Sequence, residues 1–374
     1  MSKLNVNIIS ESVISALGFG FENNFKALSN NQSGVKKVCF DELDNIVIPV
    51  AKIDNHEFFD FQKKIKNPGN YTKFEKLMIL SASEALSKTD VDPSSKDTII
   101  IISTTKGNVD LIHDPSHREK LSLWYSADKI GEYFQAANRP FIISNACISG
   151  VLAMVHAARL LSGNIYKHAI VIGADILSDF VVSGFNSFKS LSPGVCKPFD
   201  ANRDGLNIGE GAATVVLSSL ISGEYKITAG ASANDANHIS GPSRTGEGLF
   251  QAISHVLNNT DNIDYISAHG TATPYNDDME SIAISRNGLS DIAVNSYKAY
   301  IGHTLGAAGI IESIYSLWSM KNDLLIKSLG CDEPGVVEPL NIIFNNTSKK
   351  IIRTLKLASG FGGCNAALII EKND

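Results

Sequence analysis

Three side chains of this chain have the types and settings for nucleophilic chemistry: Cys147, His269 and His303. Cys147 lies in Ile-Ser-Asn-Ala-Cys-Ile-Ser-Gly, where an apolar strand ends, small residues make a sharp turn and a long apolar helix begins. A thiol at a helix N-terminus feels the partial positive charge of the free N–H groups, which favours thiolate. The same N–H groups can hold an oxyanion. The competing reading is a buried structural cysteine, the usual fate of a free thiol. The other cysteines, Cys39, Cys196, Cys331 and Cys364, lack this strand–turn–helix setting.

His269 follows an expected core strand at 264–268, where α/β folds place their sites, and enters a polar Gly-Thr-Ala-Thr-Pro turn. The helix expected after it, 277–285, opens with Asp277 and Glu280, carboxylates suited to a helix start. His303 sits in Lys-Ala-Tyr-Ile-Gly-His-Thr-Leu-Gly-Ala-Ala-Gly, whose glycines let backbones pack closely. Glu312 falls in the next apolar helix, where an unpaired carboxylate is costly, so it needs a partner. Lys298 is the candidate, and a plain structural ion pair is the alternative. The glycine-rich turn 359–365 offers backbone N–H groups to a ligand, with the Phe361 ring beside them. One Cys and two His also suit zinc, and the spacing neither helps nor excludes it. A non-metal role for each is the expectation. No GxxxxGK loop occurs, and no GxGxxG in a strand–helix setting.

These residues need a scaffold of alternating strands and helices. The runs at 98–103, 141–144, 167–173 and 212–218 read as core strands, and 151–162 as a buried helix. After 223 the order recurs: strands at 225–229, 264–268, 293–296 and 366–371, helices at 246–258, 277–285 and 307–320. The expectation is two similar halves, 1–221 and 222–374, sharing one core. The lysine-rich segment 54–71 reads as a surface excursion.

The 374 residues are 44% apolar, with 33 basic and 39 acidic side chains and a net charge of −6. That balance argues against a general nucleic-acid binder, and the apolar content against disorder. Five scattered cysteines without a CxxC suggest neither a disulfide framework nor a zinc cage. No apolar stretch approaches the ~20 residues that span a bilayer, and the opening lacks a signal-peptide core. A soluble cytoplasmic protein is expected.

Four blocks, NACISG, AHGTATPYND, KAYIGHTLGAAG and SGFGGCNAAL, together resemble the β-ketoacyl-acyl carrier protein synthases, in order and in spacing. The fit is to the elongating Cys-His-His branch of the thiolase superfamily, and CKPFDANRDGLNIGEGAATVVL resembles the segment that links its blocks. The resemblance implies a thiolase-like five-layered αβαβα fold and a dimer, of identical subunits or with a paralogue. It also implies decarboxylative condensation of malonyl-acyl carrier protein with a cysteine-bound acyl chain. Cys147 matches the nucleophile, and His269 and His303 the pair that bind the thioester carbonyl. Lys298 and Glu312 match the supporting charges, and Asp277 and Glu280 the acidic positions. Thr271 and Thr273 match the hydroxyls on the pantetheine arm. Phe361 matches the gate, whose N–H joins that of Cys147 as oxyanion hole.

The resemblance implies no cofactor beyond the carrier's phosphopantetheine. Because carriers are acidic, docking needs a local basic patch, for which Lys63, Lys64, Lys66, Lys189 and Arg203 are candidates. Ser359 stands where elongating enzymes usually carry another phenylalanine, and the chain is short between 107 and 144. Fatty-acid, polyene and polyketide pathways all fit. The alternative readings are a non-catalytic chain-length partner, which would lack Cys147, and a thiolase, which would carry a second reactive cysteine.

Overall fold

The continuous β-branched runs become strands buried on both faces. The structure, a computed structural model, describes residues 4–257 and 262–373. One set of five strands in the large sheet comes from the first half: β1 (Val6–Ser15), β2 (Thr98–Ser103), β3 (Phe141–Ile143), β4 (His168–Asp175) and β5 (Gly211–Ser218). Five come from the second: β6 (Tyr225–Asn234), β7 (Tyr265–Ser267), β8 (Ala293–Asn295), β9 (Arg353–Gly360) and β10 (Cys364–Lys372).

Each set repeats one topology. The first runs 3-2-4-5-1 and the second 8-7-9-10-6. In both, the three outer strands are mutually parallel and the next two pairings are antiparallel. β1 and β6 pair antiparallel over Val6–Ile8, which joins the two sets edge to edge.

The helices that matter here are α1 (Lys73–Leu86), α2 (Ser149–Ser162), α3 (Asp179–Ser187), α4 (Glu247–Val256), α5 (Pro274–Arg286) and α6 (Ala308–Lys321). α1 covers the outer face of the first set through Leu77, Met78 and Ala82. α4 and α5 cover the outer face of the second through Leu249, Ile253, Met279 and Ile284. α2 and α6 fill the space between the sets with Val151, Met154, Ile310 and Ile314. Helix, sheet, helix, sheet, helix is the five-layered αβαβα order that the resemblance implied. Each of the Val, Leu, Ile and Met side chains contributes about 1.5–3 kcal/mol by leaving water.

The two middle helices meet backbone to backbone. A Cβ added to Gly150 would lie 2.9 Å from the Gly306 oxygen, and one on Gly309 would lie 2.5 Å from the Val151 nitrogen. Only glycine fits that seam.

The expected helix 307–320 is Ala308–Lys321, and 246–258 is Glu247–Val256, with Asn258 outside the described residues. β1 and β9 were not expected. Serines and a glutamate interrupt the apolar residues of β1, and Lys356 breaks the run in β9. Nor was α1, although Thr72 and Glu75 form a full capping box at its start. Segment 54–71 holds a short α-helix, Asn55–Gln62, capped by Asp54, and a 3-10 turn at Pro68–Asn70. Among the described residues no helix is long and apolar enough to cross a membrane.

Candidate active site

The chain leaves β3 and must turn within a few residues to start α2. Ala146 takes φ +44°, a conformation rare for a residue with a Cβ. Ser149 locks the turn: its Oγ accepts from the Asn145 amide at 2.8 Å and donates to the Ala146 carbonyl at 2.6 Å. Cys147 is thereby set two residues before the helix and buried. The glycine-rich turn after β9 backs onto it, and a Cβ on Gly360 would sit 3.0 Å from the Cys147 nitrogen. Burial pushes the Cys147 thiol up to about 12, although Lys106 and Lys298 oppose this. The resting group is therefore a thiol, not the thiolate expected from the helix start. Removing water from sulfur outweighs the helix terminus.

Residues 267–272, which carry His269, are held by charged side chains. Lys356 Nζ donates to the carbonyls of Ser267 and Ala268 at 3.3 and 3.1 Å, and Lys298 Nζ to that of His269 at 2.9 Å. Glu280 accepts from the amides of His269 and Gly270 at 2.7 and 2.6 Å. Asp277 accepts from those of Thr271 and Ala272 at 3.0 and 3.1 Å. Burial raises the Asp277 carboxyl to about 6 and that of Glu280 to about 7. The hydroxyls of Thr271 and Thr273 lie 2.8 Å apart on the same turn.

Glu312 projects from α6 between both lysines, with Oε1 against Lys298 and Oε2 at 2.5 Å from Lys356. The expected Lys298–Glu312 pair is thus half of a triad. Lys356 was missed by the sequence reading. Its signal was a lone lysine inside the apolar run TLKLAS.

His303 is fixed by its backbone, whose amide donates to Asn207 O at 2.7 Å while its carbonyl accepts from Gly209 at 3.0 Å. The Leu305 amide donates to Nδ1 at 3.3 Å. In the neutral ring the proton then resides on Nε2, which is buried without a partner. Burial first, and Lys298 next, pull both imidazoles well below their ordinary range, so both are neutral. Their rings cross at 82° with centroids 5.1 Å apart. Cys147 Sγ and one nitrogen of each ring all lie within 4.8 Å of one another.

Such a Cys-His-His set also has the donors for a metal ion. Lys106, Lys298 and Lys356 surround it with positive charge, as their effect on the imidazoles records, and this opposes a divalent cation. The arrangement suits a neutral thiol and two hydrogen-bond donors facing an anion.

The three groups line a cavity of about 530 Å³. Phe361 stands at its wall, stacked on Phe185 at 5.8 Å and edge-on to Phe188 at 5.7 Å. Ser359 faces the same cavity and donates to Asn365 Oδ1 at 2.7 Å. Lys189 is exposed and lines the cavity too. Lys63 pairs with Asp60, Lys64 lies over the Phe61 ring, and Lys66 is exposed. Arg203 departs from the expected docking role. Its side chain is 7% exposed and is committed to Asp278 at 2.6 Å and to the carbonyls of Asp200 and Gly335.

Comparison with known proteins points to one family. The profile of the β-ketoacyl synthase N-terminal domain matches residues 5–221, and that of the C-terminal domain 225–332. A 3-oxoacyl-[acyl-carrier-protein] synthase 2 of Rhizobium meliloti is 32% identical over 256 residues, covering 62% of this chain and 60% of that protein. The enzyme of the same name from Vibrio harveyi is 26% identical over 419 residues, covering 100% and 99%. The fold matches the ishigamide ketosynthase/chain length factor with a TM-score of 0.91 at 22% identity, over 100% of both chains.

Proposed function

The chain belongs to the β-ketoacyl synthase family, and from that premise we propose which of its groups carry the reaction and in what order. The reaction is the condensation of malonyl-acyl carrier protein with a cysteine-bound acyl chain, releasing carbon dioxide and 3-oxoacyl-acyl carrier protein. In the first step Cys147 sulfur attacks the thioester carbonyl of an acyl carrier. The amides of Cys147 and Phe361 hold the oxyanion. The pantetheine sulfur leaves with the proton that Cys147 gave up, so the exchange is neutral.

In the second step malonyl carrier enters, and its pantetheine arm is steered by the hydroxyls of Thr271 and Thr273. Its carboxylate leaves as carbon dioxide, and the bonding pair passes into an enolate. Nε2–H of His303 and an N–H of His269 bind the enolate oxygen. Neutral imidazoles suit this task, because they donate hydrogen bonds without protonating the carbon nucleophile. The enolate carbon then attacks the acyl-Cys147 carbonyl. The C–S bond breaks, and the thiolate regains one proton from solvent. Lys298, Glu312, Asp277 and Glu280 hold the loops and touch no substrate atom.

The observation that carries this reading is the meeting of Cys147 sulfur with both imidazoles within 4.8 Å at a cavity. A non-catalytic chain-length partner would have no use for that thiol. We assign the nucleophile to a half spanning 1–221 and the two histidines to a half spanning 222–374. Lys189 at the cavity is the docking cation best placed for an acidic carrier. The working unit is a dimer, of two copies or with a paralogue, in the cytoplasm, serving fatty-acid, polyene or polyketide extension.

The test incubates malonyl carrier and acyl carrier with the protein and follows carbon dioxide and product mass. An acyl adduct on Cys147, lost with product in Cys147→Ala, supports the reading. Condensation that persists in Cys147→Ala overturns it.

A further inference from the structure

We propose that Lys356 is a second positioning lysine of the condensing site, acting on His269 through Glu312 and through the carbonyls of Ser267 and Ala268. The inference rests on the reaction above. Lys356 lies mid-strand in β9 and is fully buried. A neutral buried pair needs one lysine per carboxylate, yet Glu312 is flanked by two, Lys298 on one oxygen and Lys356 on the other. Holding an extra buried cation costs several kcal/mol unless its contacts compensate. Here both ammonium groups are also spent on consecutive carbonyls, Ser267 and Ala268 for Lys356 and His269 for Lys298. The second ammonium therefore stands directly behind the imidazole loop, with Glu280 as a further acidic neighbour.

That placement has a chemical consequence. The enolate is an anion formed beside two neutral imidazoles, and a fixed cation behind them stabilises it without offering it a proton. Among the charged and titratable groups around the rings are Lys298, Lys356, Lys106 and Cys147. The carboxylates Glu312, Glu280, Asp277 and Asp175 are each tied to backbone or lysine donors. Taking away Lys356 leaves a neutral Lys298–Glu312 pair. The imidazoles then titrate at higher pH.

The experiment measures carbon dioxide release from malonyl carrier between pH 5 and 9 for wild type, Lys356→Met and Lys356→Arg. In Lys356→Met we expect kcat to fall about tenfold, with KM for malonyl carrier unchanged within about twofold. Its acid limb should move up by about one pH unit, since the reaction needs neutral rings. Lys356→Arg, which keeps the charge, should return the limb to its wild-type position. An unchanged kcat and acid limb in Lys356→Met, with only the melting temperature lowered, overturns the proposal. If Lys356→Met does not fold, Lys356→Arg decides, and a shifted limb there overturns it. If wild type releases no carbon dioxide, the reaction assignment fails separately. Lys356 is then judged by ¹³C-histidine NMR on the free proteins, where equal imidazole titration in wild type and variant overturns it.

Discussion

The Gly306 amide donates to Oδ2 of Asp175 at 2.6 Å, tying the end of β4 to the loop that carries His303. The same carboxylate accepts from the Thr104 hydroxyl and from the amide and hydroxyl of Thr105. Asp175→Ala strands these buried donors, each worth about 1–3 kcal/mol when left unsatisfied. The expected result is a melting temperature lower by several degrees and a fall in condensation rate. Asp175→Asn, which keeps one acceptor oxygen, should fall between. Calorimetry that finds Asp175→Ala as stable as wild type would contradict this bonding pattern.

Gly209 is the second lever on His303. Its amide donates to the His303 carbonyl, and a Cβ there would lie 2.0 Å from the Ile301 oxygen. Backbone must move to admit even a methyl. Gly209→Ala should lower kcat at least tenfold and destabilise the fold by about 1–3 kcal/mol. Normal kinetics in that variant would show that the His303 loop tolerates displacement.

Alkylation of Cys147 should accelerate steadily from pH 6 to 9. Burial holds the thiol up to about 12, so the reactive thiolate fraction grows throughout that range. Iodoacetamide labelling resolved by peptide mass spectrometry separates Cys147 from the exposed Cys39. A rate that levels off below pH 7 would mean that the helix terminus governs the sulfur after all.

Asp277 and Glu280 set a pH dependence of stability. Burial raises their folded-state values to about 6 and about 7, above the ordinary carboxylate range. Between roughly pH 4.5 and 7 the folded chain thus keeps protons that the unfolded chain has released. Their contribution to stability is full below pH 4 and declines as pH rises through that window. Glu280→Gln should flatten the decline while lowering stability overall, because one of two accepting oxygens becomes a donor facing an amide. Melting curves across pH 4–8 check both statements.

Much of the scaffold was legible because its sign is periodicity. The Thr98–Ser103 strand is a β-branched run closed by a serine, buried at every position, and it was read as a strand to the residue. β1 escaped because Ser10, Glu11 and Ser12 mask its apolar residues, and the pairing that makes it central is long-range. The site residues Cys147, His269 and His303 stood out through small, polar turns at strand ends. Lys356 did not, since a lysine in a strand ordinarily marks a solvent-facing position. Only the tertiary meeting of β9 with α6 reveals the carboxylate waiting for it. Arg203 misled in the opposite direction, as two of its partners, Asp278 and Gly335, lie 75 and 132 residues away.

The glycine seam between α2 and α6 has a mechanical consequence. At Gly150 and Gly309 the helix that begins after Cys147 and the helix that follows His303 approach main chain to main chain, closer than a Cβ at either glycine would allow. Sulfur and imidazole are therefore parts of one stiff anvil, although they come from opposite halves of the chain. Opening and shutting these two helices like jaws would have to break that contact. Whatever moves between the first and second carrier visit must be the visitor, or the aromatic rim it passes.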